Sequence, residues 1–209
     1  MNKEITLLFI LFSTLLTAQD NSAREILNKL SDTHKSYNNI TITYNLNYEN
    51  EDLYINEKQS GTLFIADDKF LVEMDNQTII NNGEIQWIYL SDMNEVQIIK
   101  YESEDEMMTP KSLFTIYERI SKYKYIGVKL EDKKRLDIIE LFPEESSMFI
   151  KVKLVVNTKE NQLHNIILFD KSGGTYNYLI TSFKSNSKQI PLFIFNTEDY
   201  PDVEVIDLR

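Results

Sequence analysis

Cysteine is absent from this chain of 209 residues. Its absence excludes disulfide bonds, thiol nucleophiles, redox motifs and metal sites built on cysteine. Glycine and proline are scarce, with five and four residues, so the chain is not a flexible linker or a low-complexity sequence. A chain without cross-links depends on its hydrophobic core for stability, and this one has the length of an ordinary domain that buries such a core.

Basic residues are fewer than acidic residues. The chain has 22 lysines and arginines against 33 aspartates and glutamates, which gives a formal net charge of −11. This charge repels the phosphates of nucleic acids and argues against a nucleic-acid partner. It also repels anionic lipid headgroups, so charge does not bring the protein to a membrane surface.

Residue patterns typical of catalytic, metal or phosphate-binding sites are missing as well. The two histidines, His34 and His164, have no serine or carboxylate partners in the pattern of a catalytic triad. The acidic run at residues 102–106 lacks the glycine and the ligand spacing of a calcium loop, and is typical of a solvated loop. No glycine-rich phosphate loop occurs. We therefore predict no catalytic residue, no metal and no cofactor, and a protein that is not an enzyme.

The first residues carry the clearest targeting signal. A basic start at residues 1–3 precedes an apolar run from Ile5 to Leu16 and a small-residue exit at Thr17-Ala18. This pattern predicts a signal peptide over residues 1–18, followed by one domain over residues 19–209. The run is shorter than the ~20 residues of a membrane-spanning helix. Because no cysteine follows it, we expect a periplasmic protein without a lipid anchor.

Two helices are predicted. Ser22 and Glu25 form a capping-box pattern, and an apolar stripe at helical spacing then runs from Ile26 to Tyr37. The Asn38-Asn39 pair ends this helix. A second, short helix begins at Thr109-Pro110 and extends to Tyr117.

Most of the remaining chain has the period of two that indicates strands. In the clearest cases, Ile40 to Tyr48 alternates with polar residues, and the set Met148, Ile150, Val152, Leu154 and Val156 shares one predicted buried face. A weaker edge strand is predicted at Pro191–Phe195, with a tail from Tyr200. The other predicted strands are Gln59–Ala66, Phe70–Met74, Thr78–Ile80, Ile85–Leu90, Val96–Tyr101, Tyr123–Leu130, Leu136–Phe142, Leu163–Phe169 and Thr175–Phe183.

About ten strands with short hairpins and only two helices predict a mainly β fold. A sheet of this size cannot stay flat, so we expect an incomplete, unclosed antiparallel β-barrel that wraps around its helices. Several strands are apolar on both faces, for example Leu63 beside Phe64. Two interpretations stay open: an ordinary core, or an interior that accepts an apolar ligand beneath a lid formed by the Leu113–Tyr117 helix.

Several segments together resemble the outer-membrane lipoprotein carrier family, the LolA-like periplasmic lipoprotein chaperones. The resemblance covers essentially the whole chain after the signal peptide. It rests on the order and spacing of the capped first helix, Gly61-Thr62-Leu63-Phe64-Ile65, Lys69-Phe70, the Asn82-Gly83 turn before Trp87-Ile88-Tyr89, Thr109-Pro110-Lys111-Ser112-Leu113-Phe114 and the ending Tyr200–Arg209.

The resemblance implies a carrier that takes acylated lipoproteins from an inner-membrane export complex to an outer-membrane acceptor, and that acts as a monomer. Phe70 falls where the family has a hydrophobic residue important for hand-over. Family members also carry an arginine after the Gly61-type strand that holds the lid shut, whereas this chain has Ala66-Asp67-Asp68. The candidate lipid-binding and hand-over residues are Phe64, Phe70, Val72, Met74, Trp87, Tyr89, Leu113, Phe114 and Tyr117.

Two alternatives to lipoprotein transport stay open at this stage. The same scaffold could bind another lipid or hydrophobic ligand. It could also serve as an extracytoplasmic sensor module that binds a protein partner.

Overall fold

The computed structural model describes residues 22–101, 114–118, 120, 122–144 and 147–209. The predicted signal peptide, the acidic run and the start of the predicted second helix at residues 109–113 lie outside the described residues. Helix α1 spans residues 22–35. Ser22 is the first described residue and is already helical, so the structure does not test the predicted capping box.

Twelve strands occur in the described part of the chain. They are β1 (Asn39–Asn50), β2 (Ile55–Ala66), β3 (Lys69–Met74), β4 (Gln77–Asn81), β5 (Ile85–Leu90), β6 (Glu95–Lys100), β7 (Tyr123–Glu131), β8 (Lys134–Leu141), β9 (Phe149–Asn157), β10 (Gln162–Asp170), β11 (Thr175–Ser185) and β12 (Glu204–Asp207). Single turns of 3₁₀ helix lie at Ile116–Glu118 and Thr197–Asp199.

All twelve strands belong to one sheet in the order β12-β6-β5-β4-β3-β2-β1-β11-β10-β9-β8-β7. Neighbouring strands are antiparallel except for β12 and β6, which run parallel. β7 and β12 stand at opposite ends of this order, so the sheet does not close on itself. The predicted mainly β fold with an unclosed barrel is confirmed.

The concave face of the sheet is the face that packs against α1. On the helix, Ala23, Leu27, Leu30 and His34 are buried, and their spacing of four, three and four residues places them on one side. Each fully buried aliphatic or aromatic side chain contributes ~1.5–3 kcal/mol. The fully buried side chains opposite α1 include Ile42, Leu63, Phe70, Val72, Ile139, Leu141, Val152, Leu154, Ile166 and Leu168.

A second apolar cluster lies on the convex face, opposite α1. Its buried members are Leu71, Ile80, Trp87, Val96 and Phe195, and we call it the convex cluster. The C-terminal segment, residues 186–203, covers these strands after β11. This cover explains why β2 to β6 are apolar on both faces, because each face is packed against a different part of the chain.

Three hydrogen bonds, which we call the clamp, fix the start of the C-terminal segment. Asn38 N–H donates to Asn186 Oδ1 at 2.8 Å, Ser187 N–H donates to Asn39 Oδ1 at 2.8 Å, and Asn39 Nδ2 donates to the Ser187 carbonyl at 3.1 Å. Asn186 has a φ of 52°, a left-handed conformation that asparagine tolerates better than most residues. The end of α1 and the end of β11 are therefore joined at one point.

The predicted edge strand at Pro191–Phe195 is wrong. These residues bend at Phe193-Ile194 and pair with no strand in the described chain, because Phe193 and Phe195 pack their side chains on the convex cluster instead. The last strand forms further on, at Glu204–Asp207, where the sequence predicted a tail. There Glu204 N–H donates to the Asn94 carbonyl and Leu208 N–H to the Ile98 carbonyl.

The predicted buried face of β9 is wrong at its start. Val152, Leu154 and Val156 are buried, but Met148 is 49% and Ile150 57% exposed. Lys151 pairs with Phe169 and Phe149 with Asp170, so Ile150 is the extra residue of a β-bulge. A bulge shifts the alternation by one residue, and this one turns Phe149 towards the core.

Candidate functional site

The concave interior brings together five of the predicted site residues. Phe70 is fully buried, Val72 is 1% exposed, and Met74 packs against the same core. Phe114 and Tyr117 reach this core from the segment that precedes β7. Leu113 lies outside the described residues.

The other three candidates lie on the opposite face of the sheet. Phe64, Trp87 and Tyr89 belong to the convex cluster, where the Tyr89 ring is 5.4 Å from the Phe195 ring. Strand register explains the separation, because Phe64 pairs with Leu71 whereas Ile65 pairs with Phe70. Adjacent residues of a strand point to opposite faces, so Phe64 and Phe70 do not share a site.

A short apolar segment fills the concave interior. We call residues 114–118 and 120 the plug. Its Phe114, Ile116, Tyr117 and Ile120 are 2%, 3%, 4% and 9% exposed. The Phe114 ring contacts the rings of Tyr44 and Tyr178, with centroids 6.1 and 6.4 Å apart. These side chains occupy the space between α1 and the sheet.

Polar side chains of α1 hold the plug. The Tyr117 hydroxyl lies 2.8 Å from His34 Nδ1, and the Ser31 hydroxyl donates to Glu118 Oε1 at 2.6 Å. Lys35 Nζ is 3.5 Å from the same Glu118 oxygen. We call these three contacts the latch. Among the latch residues sequence reasoning named only Tyr117 as a site candidate, although Ser31, His34 and Lys35 share one side of α1 by their spacing of three and four residues.

Burial dominates the electrostatics of the latch. It lowers the pKa of His34 to about 4, although the Glu118 carboxylate opposes this shift. Burial also raises the pKa of the Tyr117 hydroxyl. The His34 ring stacks on Phe183 with centroids 5.6 Å apart, and its Nε2 atom has no hydrogen-bond partner among the described residues. A proton on this ring is therefore strongly disfavoured while the plug is in place.

The latch lies beside the turn after β2. This turn carries Asp67 with a φ of 51°, and Asp67 lines a pocket together with His34 and Glu118. Ala66-Asp67-Asp68 contains no arginine, and the polar contacts of the plug described above come from α1.

The same pocket opens beside the plug at the end of α1. Its volume is about 230 Å³, and Ile40, Ile42, Ile65 and Phe114 form its apolar wall. Most small-molecule sites have ~300–1,000 Å³. The pocket is therefore too small to hold a long acyl chain. Such a chain fits the interior only if the plug leaves it.

Other site chemistries have little support in the described chain. No group of three or more histidines, aspartates or glutamates there is arranged to hold a metal ion. None of its helices has the length and apolar character needed to cross a membrane. What the site offers is apolar surface beneath the plug.

Comparisons with known proteins agree with this geometry. An uncharacterized conserved protein from Thermus thermophilus has a similar structure, with a TM-score of 0.56, 12% identity and coverage of 89% of this chain and 99% of that chain. The lipoprotein LppX from Mycobacterium tuberculosis gives a TM-score of 0.51, 10% identity and coverage of 82% and 100%. At these identities the likeness concerns the fold alone.

The comparison with curated proteins gives no match. The family profile described as outer membrane lipoprotein carrier protein LolA matches residues 36–195, which is most of the chain. The matched residues include the sheet from β1 to β11, the plug and the start of the C-terminal segment. The chain therefore belongs to the LolA family, a family of carrier proteins and not of enzymes.

Proposed function

We propose that this protein is a periplasmic carrier that shelters the acyl chains of lipoproteins on its concave face. It receives an acylated lipoprotein from an inner-membrane export complex and passes it to an outer-membrane acceptor. It is exported by its signal peptide and works as a monomer.

The observation that carries the proposal is the plug. Its four buried apolar side chains occupy the interior, yet they belong to a short segment with a single 3₁₀ turn between α1 and the sheet. An interior filled by such a segment can exchange its own side chains for those of a ligand. Phe70, Val72 and Met74 lie on the sheet side of this space and would contact the ligand that replaces the plug.

The free energies of burial of the plug and of an acyl chain are consistent with a carrier. Burying one methylene group contributes ~0.8 kcal/mol, so a long acyl chain contributes on the order of 10 kcal/mol. Four plug side chains at ~1.5–3 kcal/mol each contribute about 6–12 kcal/mol. For a single acyl chain the two amounts are similar, so exchange of the plug for one such chain is nearly balanced. A balanced exchange permits both uptake and release, whereas an empty apolar cavity would hold the chain too tightly to give it up.

The ligand itself is identified by extraction. The protein is purified from its own periplasm without detergent, and the bound lipid is analysed by mass spectrometry. A triacylated lipoprotein supports the proposal. A phospholipid, glycolipid or pigment would instead indicate that the scaffold binds another hydrophobic ligand. A stable protein partner without any extractable lipid would instead indicate a sensor module.

The role of the plug is tested by cross-linking. Because the chain has no native cysteine, only the introduced cysteines react with the linker. The variant Ser31→Cys/Glu118→Cys is bridged with a short, reducible bis-maleimide, so that the plug is tied to α1. We expect the bridged protein to lose uptake of a fluorescent triacylated lipopeptide, and reduction of the linker to restore it.

The matched control is Glu25→Cys/Lys29→Cys. These side chains lie 2.8 Å apart on α1 and carry the same linker without touching the plug. Uptake by this control should equal that of the wild type. If the bridged latch variant takes up lipopeptide at the wild-type rate, the interior does not load by displacement of the plug.

A further inference from the structure

The C-terminal segment presents an apolar ridge to solvent. Between residues 189 and 195 the chain forms no helix or strand and bends at Phe193-Ile194, and Phe193 and Phe195 pack on the convex cluster. The intervening Ile190, Leu192 and Ile194 are 51%, 82% and 55% exposed. The alternation of exposed and less exposed side chains places these three apolar side chains on the solvent side of the segment. We call them the ridge.

The ridge is not needed for the fold. Phe193 and Phe195 already anchor the segment, and polar residues at the three alternate positions would leave that packing unchanged. Single exposed aliphatic residues are common on proteins, but a contiguous apolar surface marks a site of interaction. Val205 in β12 pairs with Val96 of the convex cluster and is 47% exposed, so the convex face carries a further exposed apolar side chain.

Negative charge follows the ridge along the chain, and Lys188 precedes it. Residues 189–206 contain four carboxylates and no lysine or arginine. Glu198 and Asp199 follow the ridge directly, and both are exposed. The pKa of Tyr200, beside the convex cluster, is raised by burial first and then by Tyr89, Asp199 and Glu73, so these groups lie close enough to act on one another.

We propose that the ridge is a docking surface for a partner protein segment that presents apolar side chains flanked by lysine or arginine. The apolar line supplies contact area, and the carboxylates beside it select the charge of the partner. An anionic lipid surface is repelled by the same carboxylates. A second copy docking through the same face would bring two acidic surfaces together, which costs free energy.

This inference does not depend on acyl-chain transport. The ridge lies on the convex face, and the plug lies on the concave face. A protein that fails to load lipid could still dock through the ridge, and a protein with a disrupted ridge could still load lipid. The two proposals therefore fail separately.

The test uses the full mature chain and two synthetic amphipathic helical peptides, one of leucine and lysine and one of leucine and glutamate. Binding is followed by fluorescence anisotropy of the labelled peptide. The ridge variant is Leu192→Ser/Ile194→Ser, and the charge variant is Glu198→Gln/Asp199→Asn. The control is Leu130→Ser, because Leu130 is 81% exposed on β7 at the other end of the sheet and so matches Leu192 in exposure.

The wild type and Leu130→Ser are expected to bind the leucine–lysine peptide equally. Binding by the ridge variant and by the charge variant should be on the order of tenfold weaker. Unchanged Trp87 fluorescence shows that the variants keep the fold. Equal binding by the ridge variant and the wild type overturns the proposal, as does equal binding of the leucine–glutamate peptide.

Two further outcomes also overturn it. Ridge-dependent binding to phosphatidylglycerol vesicles in preference to the cationic peptide would assign the ridge to a lipid surface. Concentration-dependent dimerisation that the ridge variant abolishes would assign it to a second copy of the chain.

Discussion

Acidification should weaken the closed state through His34. In the closed protein the ring is buried between Phe183 and Tyr117, and its pKa falls from 6.5 to about 4. An exposed histidine takes up a proton near pH 6.5, whereas this one resists protonation until about pH 4. The stabilisation is therefore complete above pH 6.5 and is lost as the pH falls from 6.5 to 4. Between pH 7 and pH 5 the loss is about 2 kcal/mol.

The assay is urea unfolding at a series of pH values for the wild type and His34→Phe. Phenylalanine retains the stacking on Phe183 but cannot be protonated. All other titratable groups are present in both proteins, so the difference between their unfolding free energies isolates His34. The loss of the Tyr117 hydrogen bond shifts this difference by a constant and does not create a pH dependence.

We expect the advantage of the wild type over His34→Phe to shrink by about 2 kcal/mol between pH 7 and pH 5. A nuclear magnetic resonance titration of His34, assigned with His164→Gln, should give a midpoint near pH 4. The reasoning would be refuted if the difference in unfolding free energy between the two proteins did not change with pH, or if the His34 midpoint lay near pH 6.5. In either case the ring would be accessible to protons with the plug in place.

Other predictions follow from the contacts described above. Tyr117→Phe should lower the free energy of unfolding by about 1 kcal/mol in urea, because it leaves His34 Nδ1 without its partner. Phe70→Glu should weaken lipid capture but also cost at least about 3 kcal/mol in thermal unfolding, since it places a charge at a fully buried position, so lipid binding must be measured below its melting temperature. Asp137→Asn should cost about 2 kcal/mol at pH 7, measured in urea, because the buried carboxylate accepts hydrogen bonds from Tyr125, Arg135 and Thr158. Lipopeptide uptake should leave the emission of Trp87, the single tryptophan, unchanged, because this ring lies on the convex face.

Local periodicity was sufficient for most of the fold. The bounds of β3, β4 and β5 differ from the predicted ones by at most one residue at each end, because short turns with asparagine, aspartate or glycine fix both ends of each strand. β2 begins four residues earlier than predicted, at Ile55 instead of Gln59. Its polar first residues carry no hydrophobic alternation, and they are held by backbone pairing with β1, which periodicity does not report.

Periodicity could not say which apolar face belongs to which core. Phe64 and Phe70 both lie in apolar strands, and only the register of β2 against β3 separates them. The cover of the convex face comes from residues much further along the chain, so no local pattern in β2 to β6 reveals it. For the same reason the sequence grouped Trp87 and Tyr89 with the concave candidates. The latch was missed because it joins Ser31 and Glu118, which are 87 residues apart.

The anchoring of α1 indicates what moves when the interior opens. Near its start, Arg24 Nε donates to the Tyr123 hydroxyl of β7 at 2.9 Å, and just past its end Asn38 and Asn39 are fixed by the clamp to the C-terminal segment. The helix is thus held to the sheet at both ends, whereas the plug is held to the helix by the latch. Opening by movement of α1 would break the end contacts and the helix packing together. Opening by movement of the plug breaks the latch and exposes four apolar side chains, which an incoming acyl chain replaces. The plug is therefore the expected moving part, and the burial of its apolar side chains, with a smaller contribution from the latch, sets the free-energy cost of its release.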